Sequence, residues 1–565
     1  MIPPPTPVIL SSHRHSGSRQ ARQAVGHKLW GLVLLAWALN PDCRNSGVGR
    51  RGVHLVKMTE TKPPPALAKS DAVVIVGAGI FGLSTALHLA QRGYTNVTVF
   101  DKQPYHETLY SYFKGCDAAS ADLNKIVRSA YGTQTEYQEL ALEAARGWEA
   151  WNADLAAGGP DSVPPGMSSA DRVFIRNANV SLSDGDSLPA FERATLEAAK
   201  AAGHAGTHLL TTDPHDVALA EALGLAFAVD PFNHRAGRGK RSVGVIETTG
   251  GTAVADKACR YALHRASRAG VRFVLHPTAG RLVSLTTSGG GGGGGGVETA
   301  DGRAHAARLV VLACGAWTPS VLAPRLDGLC EATAGSVAML RLPRASPLFD
   351  RFAPDSFPTW QYRLRDGADG GLYGFARDDD GWLKIGYRGT KYTNYQASTG
   401  EDGGERSVPV TRWSDQPPAA GPTVEAIPEQ ARKVIQRFLD DHLPELGEAG
   451  IGIEVTRLCW YTDSFDNHFV VDYVPGMTPA DGETAVMVAT GGSGHAFKFL
   501  PNIGNWVVDV IEGVGLDRPA IKAWRWRTPA PGAPVANKLM EGSHGPRAFG
   551  NVPMANGTEW AKGAV

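Results

Sequence analysis

The chain has 565 residues, 43% of them hydrophobic and 20% charged, enough for two to four domains with sizeable cores. Lys plus Arg number 56 and Asp plus Glu number 56, and this formal neutrality argues against a nucleic-acid-binding surface as the main function while leaving room for a local basic pocket. The six cysteines (Cys43, Cys116, Cys259, Cys314, Cys330, Cys459) form no CxxC pair and no zinc-like spacing with histidine, so no metal site and no disulfide scaffold is expected, and a reducing compartment is.

The first 57 residues differ in composition from the rest, with a proline run, many arginines and one apolar stretch, Leu29 to Leu39. Eleven residues are too few to span a bilayer, which needs ~20, so no membrane span is expected. The length suits a signal-peptide core, with Arg19, Arg22 and Lys28 before it, but no small-x-small cleavage site follows. The segment reads as an upstream extension ahead of Met58, with a targeting role as the alternative. Residues 1–69 therefore stand apart from the folded chain.

Ala72 to Val76 is a short apolar run ending in glycines and predicts a buried parallel strand. Ile80 to Arg92 has helical spacing and stops at Gly93, and Asn96 to Phe100 is a second strand ending at Asp101. Leu123 to Ala130 reads as a helical stretch, Tyr137 to Ala156 as an amphipathic helix, and Ala190 to Ala202 and Lys257 to Gly270 as further helices. After the strand Val271 to Leu275 comes the glycine run Gly289 to Gly296, which reads as an expanded hairpin loop without chemistry. Leu309 to Ala313 is a continuous apolar strand ending at Cys314-Gly315. Residues 335–390 alternate like antiparallel strands, 395–422 look like a loop, and Glu429 to His442 is helical. Val486 to Ala489 is a strand, Gly491 to Gly494 a turn and Pro501 to Gly513 a helix. The Gly-, Pro- and Asn-rich tail from about residue 531 predicts poor order.

Gly77-Ala78-Gly79-Ile80-Phe81-Gly82 lies between a predicted strand and a predicted helix. Gly77 permits the tight turn, Gly79 lets the backbone approach a pyrophosphate, and Gly82 lets the helix pack on the strand. The helix N-terminus offers N–H groups and positive dipole to phosphates. Asp101 ends the second strand 24 residues after Gly77, where an acid can accept from a ribose hydroxyl, and Lys102 follows it. The motif alone does not choose between NAD and FAD. The strand ending at Gly315 is common where two-domain flavoproteins close over the nucleotide.

Four further segments carry a resemblance. They are Ser120-Ala121-Asp122-Leu123-Asn124-Lys125-Ile126-Val127-Arg128, Leu383-Lys384-Ile385-Gly386-Tyr387-Arg388, Cys459-Trp460-Tyr461-Thr462, and Gly492-Ser493-Gly494-His495-Ala496-Phe497-Lys498-Phe499. With the glycine loop, the chain from about Asp71 to Gly513 resembles the FAD-dependent amine oxidases that include monomeric sarcosine oxidase and fructosyl amino acid oxidases. It is most similar to their fungal fructosyl amino acid and saccharopine oxidase branch.

The resemblance implies an α/β fold, with a Rossmann-like FAD-binding domain (70–155, 246–330 and 456–530) and an inserted antiparallel-sheet substrate domain (156–245 and 331–455). It implies FAD as cofactor, bonded through the Cys459 sulfur to the flavin 8α carbon, with a thiolate as the attacking form. It assigns Gly77, Gly79, Ile80, Phe81, Gly82, Asp101, Lys102, Ser120, Gly315, Gly492, Gly494, Phe497 and Lys498 to the cofactor. Lys384 matches the lysine that helps the flavin react with oxygen, and Lys125 a basic position near the flavin face. Arg128 and Lys498 form a clamp for the substrate carboxylate, with His495 and Tyr373 beside it. Two departures stand out: Ala496 replaces a usual glycine, and Arg388 stands where the bacterial sarcosine oxidases place a histidine.

The implied reaction is oxidation of the CH–NH bond of an N-substituted or secondary amino acid (sarcosine, fructosyl, saccharopine or pipecolate type) with dioxygen as acceptor. An amine dehydrogenase with another acceptor and a non-catalytic flavin-binding protein are the alternatives. A monomer in the cytoplasm or peroxisome is expected, although the chain ends Gly563-Ala564-Val565 and not Ser-Lys-Leu.

Overall fold

The computed structural model describes residues 57–58 and 66–555, apart from 160–161, 235–238, 240–241, 287–294, 364–370, 398–402, 412–425, 478–482 and 533–534. The apolar N-terminal stretch and most of the glycine run lie outside the described residues.

Val73–Val76 and Leu309–Leu312 are too short for helices and buried along their whole length, which is the signature of central parallel strands. They sit in the middle of a six-stranded sheet ordered Arg272–Leu275, Val97–Asp101, Val73–Val76, Leu309–Leu312, Ala485–Thr490, Val470–Tyr473. Successive pairs are parallel except the last, where Val470–Tyr473 runs antiparallel to its neighbour. Helix Ile80–Gln91 packs against helices Ala255–Arg268 and Ile503–Glu512. Its contact with the second is close: a Cβ on Gly504 would lie 1.9 Å from the Ser84 carbonyl oxygen, and the Gly504 N–H donates to Ser84 Oγ at 2.8 Å.

The second sheet has eight strands ordered Ile453–Ser464, Cys330–Arg341, Trp382–Tyr392, Leu372–Gly374, Thr359–Arg363, Asn179–Ser183, Val243–Glu247, His208–Leu210. Only Thr359–Arg363 and Asn179–Ser183 pair in parallel. Helix Glu429–His442 turns Ala431, Val434, Ile435 and Phe438 into the core of this sheet, beside Trp360 and Tyr362. A small sheet of Asn124–Val127, Gly251–Val254 and Phe174–Ile175 stands apart from both. The strand that carries Cys459 belongs to the eight-stranded sheet.

The expected helices form as Ile80–Gln91, Thr135–Ala156, Ala190–Ala201, Ala255–Arg268, Glu429–His442 and Ile503–Glu512. The strands flanking the glycine run, Leu282–Thr286 and Gly296–Thr299, pair antiparallel as a hairpin requires. Three expectations are corrected. The stretch around Arg128 is not helical: β-branched Ile126 and Val127 lie in the strand Asn124–Val127, whose hydrogen bonds go to Gly251–Val254. Within the expected loop 395–422, Tyr395–Ala397 and Glu405–Ser407 form a paired ribbon. The described tail residues 535–555 are packed on the fold. Asn537 donates to the Ser464 carbonyl, Arg547 pairs with Glu541 and Glu331, Phe549 is buried against Tyr392 and Trp460, and Met554–Ala555 pairs with Ile427–Pro428. Weak local propensity is overridden there because tertiary partners satisfy the polar groups. Among the described residues no helix is long and apolar enough to cross a membrane.

Candidate active site

A cavity of about 900 Å³ opens at the carboxyl ends of the parallel strands, where Val76, Asp101, Ala313 and Thr490 line it, and reaches the eight-stranded sheet at Tyr373, Arg388 and Cys459. Its volume lies at the top of the ~300–1,000 Å³ range of small-molecule sites.

The glycine loop forms one end. Gly77 has φ +108°, and a Cβ there would lie 2.3 Å from the Ala313 carbonyl oxygen, so only glycine fits between the two central strands. Gly82 is not on the cavity wall; it lets the helix settle on the turn, since its Cβ would meet the Gly77 carbonyl at 1.8 Å. Gly79, Ile80 and Phe81 line the cavity at a helix N-terminus without a side-chain cap. Asp101 Oδ2 accepts from the Ala78 N–H at 2.7 Å and Oδ1 from the Gln103 N–H at 2.8 Å, and burial raises its carboxyl above the ordinary range. Each oxygen keeps a lone pair for a ribose hydroxyl. Lys102 lies 4.8 Å from the Trp317 ring centre, and Ser120 and Gly315 complete this wall. An uncapped helix N-terminus, a backbone approachable at Gly79 and a buried acid at the second strand end fit the ADP half of FAD.

Cys459 lies in mid-strand opposite Gly335, its side chain on the cavity, with Lys125 Nζ 3.8 Å from its sulfur. Lys125 donates to Asp122 Oδ2 at 2.6 Å. Lys384 does not reach the cavity wall. It is fully buried, donating to the same Asp122 oxygen at 2.8 Å and to the Asn124 carbonyl at 2.6 Å. Burial pushes the Lys384 ammonium down to about 8, with Asp122 opposing the fall. Burial alone would raise the Asp122 carboxyl, but Lys125, Lys384 and Arg457 hold it well below the usual carboxylate range. Burial likewise opposes the charge on Lys125, and Asp122 outweighs it, so that lysine is raised.

Lys498 sits in the short turn Phe497–Phe499, anchored by Trp148, whose indole N–H donates to the Lys498 carbonyl at 2.7 Å. Its Nζ donates to the Tyr131 hydroxyl at 2.9 Å and to the His495 carbonyl at 3.2 Å. His495 Nε2 is 3.0 Å from the Asn467 carbonyl, which can only accept, so Nδ1 accepts from the Tyr131 hydroxyl at 2.9 Å. Burial, and then Lys498, hold this imidazole well below its ordinary value and therefore neutral. Arg128 projects from the end of Asn124–Val127, and the following N–H groups of Ser129 and Ala130 are held by the buried carboxylate of Glu247. The Arg128 guanidinium donates to the Ala130 carbonyl, 5.4 Å from the Tyr131 ring centre. The Tyr373 ring lies over Gly386, where a Cβ would come within 2.1 Å of it. Arg388 donates to the carbonyls of Ser493 and Gly494. Gly492, Gly494, His495, Ala496 and Phe497 share this wall.

Of the residues expected from sequence, all but Gly82 and Lys384 therefore face one cavity. Sequence reasoning missed Asp122, Tyr131 and Glu247 as supports. Asp122 lay inside a recognised segment, three residues before Lys125; nothing in the sequence signalled the other two.

The family model of the FAD dependent oxidoreductases matches residues 72–510. Among curated proteins the chain is similar to L-saccharopine oxidase of Schizosaccharomyces pombe, 28% identical over 468 residues that span 81% of this chain and 93% of the relative. It is also similar to monomeric sarcosine oxidase of a Bacillus species, 23% identical over 464 residues, 80% of this chain and 96% of the relative. Among solved structures, the fructosamine oxidase of Aspergillus fumigatus (Amadoriase II) in complex with FSA matches with a TM-score of 0.60 at 25% identity, over 82% of this chain and 90% of that one. With its glycine loop, its buried strand-end acid and a match over most of its length, the chain belongs to the FAD dependent oxidoreductase family.

Proposed function

We propose that the protein is an FAD-dependent oxidase of secondary amines derived from amino acids. The observation that carries this reading is that Cys459, Lys125, Arg128 and Lys498 line the same cavity as the glycine loop and Asp101. When bound, the flavin ring supplies a two-electron acceptor for the C–H bond beside the amine nitrogen. The substrate leaves as an imine, which water hydrolyses to a carbonyl compound and an amine, and dioxygen takes up two electrons and two protons to leave as hydrogen peroxide. The names of the relatives, an oxidase of saccharopine and one of sarcosine, agree with a substrate of this type.

Arg128 and Lys498 receive the substrate carboxylate and fix its orientation. The cations around it disfavour a protonated amine, which is the form that cannot give up hydride. Lys125, held by Asp122, puts a positive charge beside Cys459, and Lys384, on the same Asp122 oxygen, stands behind it as a second cation. Cys459 is the residue to which FAD is covalently joined, and the working protein is a monomer in the cytoplasm or peroxisome.

Anaerobic mixing with a panel of N-substituted amino acids should bleach the yellow flavin spectrum, and admission of air should restore it with one peroxide per turnover. Failure of every panel member to bleach FAD-loaded protein would reject the oxidase reading. A dehydrogenase with another acceptor is the second reading, favoured by the commitment of Lys384 to Asp122 and Asn124 away from the cavity. Bleaching without restoration by air would select it.

A further inference from the structure

One half of the carboxylate clamp rests on a histidine tautomer. Burial, and then Lys498, keep the His495 ring neutral, so one ring nitrogen carries the proton and the other accepts. The Asn467 carbonyl, 3.0 Å from Nε2, can only accept and therefore places the proton there. Nδ1 accepts from the Tyr131 hydroxyl at 2.9 Å, and that oxygen accepts in turn from Lys498 Nζ at 2.9 Å. With the other tautomer Nδ1 would donate, and the buried Tyr131 hydroxyl proton would lose its acceptor. The Asn467 carbonyl thus sets the direction of a chain of hydrogen bonds that ends on the Lys498 ammonium.

That carbonyl is aimed from the C-terminal tail. Asn467 has φ +66°, in the left-handed region, where a residue other than glycine stays when its surroundings hold it. Within its own turn the Asn467 N–H reaches the Ser464 carbonyl only at 3.4 Å. Asn537 supplies the grip. Its Nδ2 donates to the Asn467 side-chain oxygen at 2.8 Å and to the Ser464 carbonyl at 2.7 Å, and its backbone N–H donates to the Phe465 carbonyl at 2.9 Å. Its Oδ1 accepts from Lys391 Nζ at 2.9 Å. A carbonyl on one side and an ammonium on the other fix which way the amide faces. Arg527 holds the other half of the turn, pairing with Asp466 at 2.7 Å and donating to the His468 and Phe469 carbonyls at 3.1 Å. Both grips come from residues that follow the helix Pro519–Trp524.

The same amide reaches the surroundings of Arg388. Lys391 lies between Asn537 and the fully buried Asp463, 3.0 Å from that carboxylate, to which Thr333 also donates at 2.7 Å. Burial works against the Arg388 charge, but Tyr461 and Asp463 outweigh it, so the guanidinium is raised. We propose that Asn537 is a positioning residue of the active site: through the Asn467 carbonyl it fixes the His495 tautomer, and through His495 and Tyr131 the place of Lys498. Its contact with Lys391 ties it also to Asp463, behind Arg388. This rests on the oxidase reading above and deepens it, since the tail becomes a working part of the amine site.

The test uses the full chain carrying Asn537→Ala or Asn537→Asp; the second keeps the shape of the side chain and loses its donors. Val434→Ala, a cavity variant in the helix Glu429–His442, is the control for lost stability alone. In protein labelled with nitrogen-15 at histidine, the His495 ring signals are those missing from His495→Gln. The parent should show the Nε2–H tautomer alone, both Asn537 variants a mixture, and Val434→Ala the parent pattern. On FAD-loaded protein, anaerobic bleaching at increasing concentration of an N-substituted amino acid should show about fivefold weaker apparent affinity in both Asn537 variants, with little change in the limiting rate constant. In an Asn467→Gly background, Asn537→Ala should add less than about twofold. A parent-like tautomer or a parent-like affinity in a folded Asn537 variant overturns the proposal, as does an undiminished effect in the Asn467→Gly background or an equal loss in Val434→Ala. If Asn537→Ala does not fold, Asn537→Asp decides. Bleaching by no N-substituted amino acid removes the oxidase reading, and the tautomer pattern then decides on Asn537 by itself.

Discussion

Asp122 holds two lysines with one oxygen, the partly buried Lys125 at 2.6 Å and the fully buried Lys384 at 2.8 Å. Breaking such a contact from the acid side leaves both ammonium groups without a counter-charge, so Asp122→Asn should cost about 3–5 kcal/mol in chemical denaturation. It should also move a pH limb. The Lys384 charge is present below about 8 and lost above it, and with the acid removed burial and Lys125 both push that midpoint lower. The rate of oxygen use by the reduced enzyme, followed across pH, should therefore fall at a more acid pH in the variant. The linkage sign for stability is the reverse of a salt-bridge gain. The folded state binds fewer protons than the unfolded one between about 8 and the free-lysine value of ~10.4, so stability contributed at Lys384 rises with pH across that window. Cys459→Ser gives a separate check: acid precipitation should release all FAD from the variant and none from the parent, and intact mass should drop by one FAD. Cys459, Arg128 and Lys498 were legible because each sits in a short segment of distinctive residue types. Asp122 was not, because its meaning depends on Lys384, 262 positions away, and Glu247 meets Ser129 across 118 positions. No local pattern encodes a partner at that distance.

Among the elements, the long apolar or amphipathic runs were readable and the short mixed ones were not. Glu429–His442 forms between the expected bounds because its apolar residues recur at helical spacing over 14 positions. Asn124–Val127 has only four residues, and its strand state is decided by Gly251–Val254, not by its own period. Close packing between elements was likewise invisible until Gly504 met Ser84. Gly504→Ala should force helix Ile503–Glu512 away from Ile80–Gln91, because the new Cβ would lie 1.9 Å from a backbone oxygen that cannot turn aside. The expected cost is about 3 kcal/mol, the upper end of ordinary overpacking, read as a lower melting temperature. Because Ile80–Gln91 begins at the glycine loop, FAD retention on desalting should fall with it.

For the molecule as a whole, the packed tail alters what counts as the folded protein. Glu331 is 2% exposed, and Arg547 and the Met540 N–H come to it from the tail, leaving Tyr395 as its other partner. Truncation before residue 535 should strand that carboxylate and expose Trp460 and Tyr392, at a cost of several kcal/mol, about 3–5 for the orphaned charge alone. The truncated chain should melt earlier and bind a hydrophobic dye. Composition hid this, since Gly, Pro and Asn report local freedom and say nothing of distant anchors. The chain also passes repeatedly between its sheets: Val73–Val76 and Val97–Asp101 enter the first, Asn179–Ser183 and Val243–Glu247 the second, Arg272–Leu275 and Leu309–Leu312 the first again, Cys330–Arg341 to Ile453–Ser464 the second, and Val470–Tyr473 with Ala485–Thr490 the first. Neither sheet is owned by one half of the sequence. A protease nick in a surface loop would thus yield two pieces that stay clasped together, and a gene divided at any single point between Val97–Asp101 and Val470–Tyr473 would make active protein only when both pieces are produced in the same cell.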